Sequence, residues 1–593
     1  MCGIAGVMTK SGAPPPAATL DALQNALRHR GPDGQGRHVH GNVGLVQTRL
    51  AIIDLETGDQ PFTLHDDGGE PVALIANAEI YNYRELRGQL TDISMQTASD
   101  CEPPLHLYRR HGTCFARHLR GMYAIAIHDA EINRLVLSRD PFGIKPLYYT
   151  ENNNVFAFAS EPQALVRAGL VNPEINERSL SELLHLQFTV GRDTVYAGIH
   201  RVLPGETLII RAGRIIERHR INALPDTEPV DLDQDNATRQ LDNLLNETVE
   251  LHQRADVPYG MFLSGGIDSS VLIAMMKRLN AEPVRAFTAG FSGTDVHDER
   301  EHAKAVAKAV GAKHTEINFN EADFWKLLPK AAAAMDDPVA DYAILPTFKL
   351  AGAARDAGLK VVLSGEGGDE LFGGYGRYRR AARSRLLGGR RMRSVGNLQG
   401  LGVLRMEYRR WRKGIEEEEK SVSRHLTAFQ KAQAVDCADW LPNDLLTKLD
   451  RCLMANGVEG RVPFVDPVLA DFAFRLPDQL KVKKQLGKWL LRTWLENALP
   501  ESAPMSKKRG FTVPVATWIQ NKGAELGPLV AAQPGIARYC RPDVVKSLFR
   551  AKGKREGKAQ WTLLFFALWH NQYMAGGTGI DVGNADVFEA LAG

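Results

Sequence analysis

The sequence has few cysteines and no long hydrophobic run. Six cysteines among 593 residues form no C-x-x-C pair, which argues against a zinc or disulfide framework. The longest strongly apolar run, residues 561–569, is too short to span a bilayer. No basic stretch followed by an apolar segment opens the chain, so we expect no secretory signal. These absences favour a cytoplasmic protein with reduced thiols and no membrane partner.

An excess of charge of one sign is also missing. Lys and Arg number 73 against 70 Asp and Glu, a net charge of +3, which neither demands nor excludes a nucleic-acid partner. The chain is long enough for about two to four domains. A basic run at 377–393 and an acidic run at 416–419 lie within residues 376–430. We interpret that segment as a solvated helical insertion, since only Tyr375 and Tyr378 could stack on bases.

A Walker-type G-x-x-x-x-G-K-[ST] motif is absent, but another phosphate-binding pattern is present. The sequence SGGIDSS at 264–270 lies between an apolar stretch at 257–263 and a helical pattern from Val271. Glycines allow an anion to approach the backbone, and the first helical turn offers unpaired N–H groups. Asp268 could hold the accompanying Mg²⁺. The stretch therefore predicts a nucleotide-phosphate site.

A second glycine-rich, acidic stretch follows a short apolar strand at 360–363. It reads SGEGGDELFGGY at 364–375. Strands that alternate with helices predict a mostly parallel, doubly wound sheet, whose ligands bind at the carboxyl ends of its strands. We therefore expect Glu366 and Asp369 to face the same nucleotide as Asp268.

The N-terminal part contains a candidate nucleophile. Cys2 would become the terminal residue if Met1 were removed, and its α-amine could then act as the base for its thiol. Alone, Cys2 could equally be a buried structural cysteine. It is followed, in order, by RHRGPDG at 28–34, QTRLAIID at 47–54, ANAEIYN at 76–82, SDCE at 99–102, GMYAIA at 121–126 and RDPFGIKPLYY at 139–149.

This ordered series resembles the class II glutamine amidotransferase domain. The resemblance implies an N-terminal-nucleophile (Ntn) hydrolase, an αββα sandwich of two stacked sheets between helices. It implies that Cys2 attacks glutamine and that Asn77, with the N–H of Ala78, stabilises the oxyanion. It also implies that free glutamine is bound by Arg49, Ile52, Asn77, Glu79 and Asp100.

Ala78 departs from the family pattern, which has glycine at this position. If the backbone needs a positive φ there, alanine costs about 1–2 kcal/mol. If φ is negative, the N–H of Ala78 serves equally well.

The C-terminal part resembles two related groups of enzymes. Residues 264–269 look like the PP-loop of ATP pyrophosphatases, and 364–375 resemble the matching segment of asparagine synthetases. So do residues 446–451, 459–466, 487–492 and 507–514. The resemblance implies ATP contacts from Leu263, Ser264, Gly265, Gly266, Asp268, Ser269, Ala289, Ser364 and Gly365. It further implies that Asp268 and Asp369 share Mg²⁺, that Glu366 assists the chemistry and that Lys488 stabilises charge on the acyl group.

We therefore predict an amidotransferase domain at 2–218, a linker at 219–236, and an α/β domain with a helical C-terminal region at 237–593. The implied function is glutamine-dependent conversion of L-aspartate to L-asparagine, with ATP cleaved to AMP and pyrophosphate. No nucleic acid is expected, and a homodimer is left open. The alternatives are another carboxylate acceptor (peptide, sugar or cell-envelope precursor), a PP-loop tRNA-modifying enzyme and a non-catalytic assembly protein. The glutaminase motifs disfavour the second, and the intact Cys2, Asp268 and Asp369 disfavour the third.

Overall fold

The computed structural model describes residues 2–65, 69–291, 300–383, 388–406, 410–507, 513–574 and 585–592. Its strands are β1 (Cys2–Thr9), β2 (Gly34–His40), β3 (Val43–Arg49), β4 (Phe62–Leu64), β5 (Val72–Ile80), β6 (Gly121–Asp129), β7 (Arg134–Arg139), β8 (Tyr148–Glu151), β9 (Val155–Ala159), β10 (His200–Arg201), β11 (Glu206–Arg211), β12 (Arg214–Arg220), β13 (Tyr259–Phe262), β14 (Arg285–Phe291), β15 (Lys313–Phe319), β16 (Val361–Leu363), β17 (Glu459–Arg461), β18 (Val482–Lys483) and β19 (Leu486–Gly487).

The α-helices are α1 (Ala17–Ala26), α2 (Tyr83–Gln89), α3 (Pro103–His111), α4 (Pro162–Arg167), α5 (Glu177–Leu186), α6 (Gln234–His252), α7 (Ile267–Leu279), α8 (Arg300–Ala309), α9 (Glu321–Ala334), α10 (Ile344–Asp356), α11 (Gly368–Leu371), α12 (Gly376–Ala382), α13 (Lys413–Ser421), α14 (Ala428–Val435), α15 (Thr447–Met454), α16 (Pro467–Arg475), α17 (Asp478–Lys481), α18 (Trp489–Ala498), α19 (Val515–Asn521), α20 (Gly523–Ala532), α21 (Pro534–Tyr539), α22 (Pro542–Arg550), α23 (Lys554–Tyr573) and α24 (Val587–Ala592).

Two antiparallel sheets are stacked in the N-terminal part. One has the order β10-β8-β9-β1-β3-β2 and the other β12-β11-β7-β6-β5-β4. Side chains of both sheets, such as Ile4 and Leu45 of the first and Ile75 and Leu137 of the second, form one buried cluster between them. Helix α1 packs on β1 and β3, and α3 packs on β5. The predicted α+β arrangement of two stacked sheets with helices is therefore present.

The chain crosses from one sheet to the other at the end of this region. Strand β10 pairs with β8 in the first sheet, whereas β11 pairs with β7 and with the following strand β12 in the second. Gly205, which lies between β10 and β11, has a φ of +71°, a conformation that favours glycine. Helix α6 begins at Gln234, where the side chain of Asp233 accepts from the Asn236 N–H.

The C-terminal part contains a parallel sheet with the order β15-β14-β13-β16-β17. Each neighbouring pair in it is parallel. The chain builds outward from β13 through β14 to β15, then returns to the other side of β13 as β16 and β17. Because β13 and β16 are neighbours, the loops that leave their carboxyl ends meet at the topological switch point. These are the two glycine-rich loops at 264–270 and 364–375.

Helices complete the C-terminal region, as predicted. The apolar run at 561–569 lies within α23 and is buried throughout, where it packs against α9, α19 and α21. Within the described ranges, no helix combines the length and the apolar character that crossing a membrane requires.

The segment at 376–430 is less solvated than expected. Arg377 and Arg393 both bind Asp436, at 2.6 and 2.5 Å, and that carboxylate has no exposed surface. Tyr378, Met392, Trp411, Ile415 and Phe429 are buried in a cluster that includes Phe188 of the N-terminal part. The basic run is thus partly neutralised inside the protein, because a buried carboxylate requires cationic partners. Residues 384–387 and 407–409 lie outside the described part.

Candidate active site

Cys2 lies at the start of a buried central strand. It pairs with Arg49 across β1 and β3, and its backbone N–H donates to Asn77 Oδ1 at 3.0 Å. Its carbonyl accepts from Arg30 Nε at 3.2 Å. Burial raises the pKa of the Cys2 thiol above its ordinary value, so the thiol needs a base before it can act as a nucleophile.

Asn77 and Ala78 lie on β5, and Asn77 contacts Cys2, the predicted nucleophile. Asn77 has no exposed surface, and its Nδ2 has no hydrogen-bond partner within the described residues. A buried amide N–H without a partner is costly, and it is what an oxyanion-binding donor requires before substrate arrives. Ala78 is not among the described residues with positive φ. The strain that alanine would suffer at positive φ is therefore not incurred.

Two of the predicted glutamine-binding residues, Arg49 and Asp100, are held by neighbouring protein groups. Arg49 donates to Asp59 Oδ1 at 2.8 Å and to the carbonyls of Ile53 and Asp54, which fixes the direction of its guanidinium. The Ile80 N–H donates to Asp100 Oδ2 at 2.8 Å. Burial raises the pKa of Asp100 to about 6.

Glu79 and Ile52 of this set already have protein partners. Glu79 Oε2 accepts from Arg461 Nη2 at 2.7 Å, and burial, together with neighbouring Glu459, raises the pKa of Glu79 well above its ordinary value. The carbonyl of Ile52 accepts from the Asp256 N–H at 2.9 Å. Both contacts join this site to the C-terminal part.

In the loop after β13, serine hydroxyl groups form hydrogen bonds with other atoms of the same loop. The hydroxyls of Ser264 and Ser269 are 3.1 Å apart, and Ser264 Oγ accepts from the Gly266 N–H at 3.2 Å. Gly265 has a φ of +72°, a conformation that favours glycine. Helix α7 begins at Ile267 with Gly266 before it, so its unpaired N–H groups open toward the loop. This is the expected geometry for an anion site.

Two further predicted contacts lie at the same edge of the sheet. The Leu263 N–H donates to the carbonyl of Phe287 at 2.9 Å. Ala289 lies two residues after Phe287 on β14, past the last residue of that strand that pairs with β13. The backbone near Ala289 thus borders the loop after β13.

Asp268, Asp369 and Lys488 form one ionic cluster. Lys488 Nζ contacts Asp268 Oδ2 and Asp369 Oδ1, the second at 2.7 Å. Burial alone would lower the pKa of Lys488, but the two carboxylates raise it above its ordinary value. A Cβ at Gly374 would lie 1.7 Å from Asp369 Oδ1, so only glycine leaves room there.

This cluster fits a divalent cation. Two carboxylates from separate loops converge on one positive charge, and hard oxygen donors are those that Mg²⁺ prefers. No group of three or more His, Cys, Asp and Glu side chains in the described ranges is arranged to hold a metal by itself. Further oxygen ligands would have to come from a nucleotide and water, as is usual for Mg²⁺.

The second loop is joined to the first and to β17. The hydroxyl of Ser364 donates to Glu366 Oε2, and the Ser364 N–H donates to the carbonyl of Arg461 at 2.8 Å. A Cβ on Gly365 would lie 3.0 Å from the Cβ of Asp268, so glycine permits this close approach.

Two residues given no role by sequence reasoning lie at the centre of these contacts. The guanidinium of Arg30 donates two hydrogen bonds to the carboxylate of Asp450, at 2.9 and 3.0 Å. Arg461, at the end of β17, donates to the carboxylate of Glu79. Both lie within motifs of the sequence, at 28–34 and 459–466, that predict no individual role for them. Their partners lie 420 and 382 residues away, and no local pattern marks such a pairing.

Comparisons with known proteins agree with this arrangement. A glutamine amidotransferase domain family matches residues 1–220, and the asparagine synthase family matches residues 240–571. The chain belongs to the asparagine synthase family. Within this family, the chain is 34% identical to asparagine synthetase [glutamine-hydrolyzing] 1 of Bacillus subtilis, over 96% of each chain. It is 30% identical to asparagine synthetase B [glutamine-hydrolyzing] of Escherichia coli, over 88% of this chain and 83% of that one.

A putative asparagine synthetase [glutamine-hydrolyzing] of Mycobacterium tuberculosis is 32% identical over 96% of this chain and 97% of its own. In the present chain, the residues that match the amidotransferase family contain all the strands of the two stacked sheets. The asparagine synthase match contains the parallel sheet and both glycine-rich loops. Residues 508–512 of the predicted 507–514 motif lie outside the described part of the chain.

Proposed function

We propose that this asparagine synthase family member transfers the amide nitrogen of glutamine to L-aspartate, with ATP cleaved to AMP and pyrophosphate. The observation that carries the proposal is the pairing of two sites in one chain. Cys2 bonds to Asn77 Oδ1, and Asn77 Nδ2 has no partner among the described residues, in a part of the chain built of two stacked sheets. Asp268, Asp369 and Lys488 meet at the switch point of a PP-loop sheet.

The first half-reaction releases ammonia. The Cys2 sulfur attacks the side-chain amide carbon of glutamine, and the α-amine exposed by removal of Met1 takes the thiol proton. Asn77 Nδ2 and the Ala78 N–H stabilise the oxyanion. Collapse of the tetrahedral intermediate expels ammonia and leaves a thioester, which water hydrolyses to glutamate.

Three charged residues orient the glutamine. Arg49 pairs with the α-carboxylate of glutamine, while Asp100 and Glu79 receive its α-ammonium group. The carbonyl of Ile52 borders the same group. Three contacts support this arrangement: Cys2 pairs with Arg49 of β3, it bonds to Asn77 of β5, and Asp100 accepts from the N–H of Ile80 at the end of β5.

The second half-reaction activates the acceptor. The 264–269 loop and the N-terminus of α7 bind the phosphates, while Ser364, Gly365 and the backbone near Ala289 border AMP. A β-carboxylate oxygen of aspartate attacks the α-phosphorus, and pyrophosphate departs. Asp268 and Asp369 would hold Mg²⁺, which neutralises charge on the departing pyrophosphate.

Ammonia then attacks the acyl carbon of the β-aspartyl-AMP, and AMP leaves. In this step, Lys488 stabilises the charge that develops on the acyl group, and Glu366 accepts a proton from the attacking ammonia. The compact cationic group and the glycine-rich backbone around it suit a small, dianionic amino acid. A peptide or glycan acceptor would need an open groove here.

The test is a product balance with purified protein, MgATP, glutamine and a panel of carboxylates. Asparagine formed one-for-one with AMP, and only with aspartate, supports the proposal. AMP formation stimulated by another carboxylate moves the chain to a different acceptor, and ADP as the product excludes the adenylation step.

A further inference from the structure

Arg461 contacts both proposed sites, although it lies in neither. It is the last residue of β17 and has no exposed surface. Its side chain donates to Glu79 Oε2 of the glutamine site at 2.7 Å. Its own carbonyl accepts from the N–H of Ser364, in the nucleotide site, at 2.8 Å. One residue therefore joins the two halves of the molecule through a side-chain bond and a backbone bond.

The guanidinium of Arg461 has no freedom to adopt another position. Nε donates to Glu459 Oε1 at 2.6 Å, and Nη1 donates to the carbonyls of His252 and Arg254 at 2.9 and 2.7 Å. Each of the three guanidinium nitrogens thus has a partner. A movement of Glu79 must therefore be followed by Arg461 or separate Glu79 from this cationic partner inside the protein, which is costly.

The bound glutamine would act on this contact directly. Glu79 and Glu459 are buried carboxylates that share the charge of Arg461. The α-ammonium of glutamine would bring a second cation to Glu79 and compete with Arg461 for it. Because Arg461 pairs with Leu363 in the parallel sheet, any adjustment of its backbone reaches the start of the 364–375 loop.

We propose that Arg461 is a positioning residue for both half-reactions and couples them: it holds Glu79 in place for glutamine and Ser364 in place for ATP. This rests on the proposed function. By thermodynamic linkage, glutamine and ATP then change each other's binding by the same factor. Such coupling factors are typically about fivefold or more.

The sharpest test uses a substitution in one domain and a measurement in the other. Glu79→Gln keeps the size of the side chain but weakens its bond to Arg461. With ammonium as the nitrogen source and no glutamine present, the KM for ATP should shift about fivefold. A role of Glu79 confined to glutamine binding leaves that KM unchanged, and this result would overturn the proposal.

A second variant, Arg461→Lys, keeps the charge but cannot make four contacts. The KM values for glutamine and for ATP should both rise, and the effect of saturating MgATP on glutamine affinity should approach a factor of one. Arg201→Lys is the matched control: Arg201 is also a buried arginine between the two parts, bound to Asp337 at 2.6 Å, but it touches neither site. It should lower the melting temperature while leaving both KM values and the coupling factor unchanged.

Failure of the proposed function and failure of the coupling would give different results. If the wild-type protein makes no asparagine from ammonium, aspartate and ATP, the proposed function is wrong. If it does, and Glu79→Gln leaves the KM for ATP at the wild-type value, only the coupling through Arg461 is wrong. If Arg461→Lys folds and shifts one KM alone, Arg461 serves a single site and the coupling is likewise excluded.

Discussion

The backbone N–H of Cys2 donates to Asn77 Oδ1 at 3.0 Å, while the Nδ2 of the same amide has no partner among the described residues. The acceptor atom of Asn77 thus holds the nucleophile in place and its donor atom stays available for substrate. One amide would thus serve both to position Cys2 and, as we propose, to bind the oxyanion.

Asn77→Asp should abolish most glutaminase activity by a change in kcat. Aspartate keeps an acceptor for the Cys2 N–H, but it loses the donor and places negative charge beside the oxyanion. We expect kcat to fall by about 10²–10³ or more, with the ammonia-dependent reaction unchanged. Asn42→Asp is the control, because the Asn42 amide donates to the backbone carbonyl of Thr9 instead. Equal losses of kcat in both variants would contradict the oxyanion role.

Cys2→Ala should separate the two nitrogen sources. Without the thiol no thioester forms, so glutamine-dependent synthesis should be lost while ammonia-dependent synthesis stays near the wild-type rate. Protein that retains Met1 should show the same loss, because the terminal amine is then displaced. Cys114→Ala, at an exposed cysteine, serves as the control. Full glutaminase activity in unprocessed protein would contradict the assignment of the base.

The KM for glutamine should fall as the pH rises from 5 to 7. Burial raises the pKa of Asp100 from 3.8 to about 6, so the carboxylate that we propose receives the α-ammonium group is protonated below that pH. The KM should change by up to tenfold per pH unit below about 6, and Asp100→Asn should remove this dependence. A flat profile in the wild type would exclude this role of Asp100.

The same shift has a consequence for stability. Because the folded-state pKa of Asp100 lies above its unfolded value, its contribution to stability is full below about pH 3.8 and is lost as the pH rises through about 6. Asp100→Asn should therefore flatten this part of the pH dependence of the unfolding free energy.

Asp369→Asn and Asp268→Asn should each block AMP formation with either nitrogen source. Both substitutions remove a hard anionic ligand for Mg²⁺ and a partner of Lys488. Glutamine hydrolysis should continue in both, and a higher Mg²⁺ concentration should restore part of the rate. Asp356→Asn, at an exposed side chain, is the control. Wild-type ATP turnover by Asp369→Asn at limiting Mg²⁺ would rule out the metal role.

Arg30→Met should destabilise the protein strongly. Arg30 is fully buried, and its loss removes the cation that contacts Asp450 at 2.9 Å and Glu161 at 2.8 Å. Arg451 is then the one arginine in contact with both carboxylates among the described residues. Breaking a buried pair in this way costs about 3–5 kcal/mol. Arg37→Met, which breaks a partly exposed pair with Asp21, should cost less than about 1 kcal/mol. Urea unfolding measures both, and similar losses would show that the Arg30 cluster is not structural.

The sequence was informative where function depends on a contiguous stretch. The 264–270 and 364–375 loops could be recognised because glycines, serines and acids must stand in a fixed order after a strand. The prediction that they meet followed from the rule for parallel sheets, and the neighbouring strands β13 and β16 confirm the sheet order it needs.

The contacts between the two parts could not be predicted. Arg461 and Glu79 are 382 residues apart, and nothing local to either residue specifies the other. The basic run at 377–393 is a similar case. Its buried partner, Asp436, lies too far along the chain for any local sequence pattern to connect the two, so the run was interpreted as solvated. Buried ionic contacts of this kind depend on how the two parts pack, which no sequence pattern encodes.

The central claim is that the chain forms an acyl-adenylate and then amidates it with nitrogen released at Cys2. The most direct measurement uses aspartate labelled with ¹⁸O in its β-carboxylate, together with MgATP and glutamine. The account predicts one ¹⁸O atom in AMP for each asparagine formed and none in pyrophosphate, because the carboxylate oxygen bonded to the α-phosphorus leaves with AMP. Label in phosphate, with ADP as the nucleotide product, would contradict it.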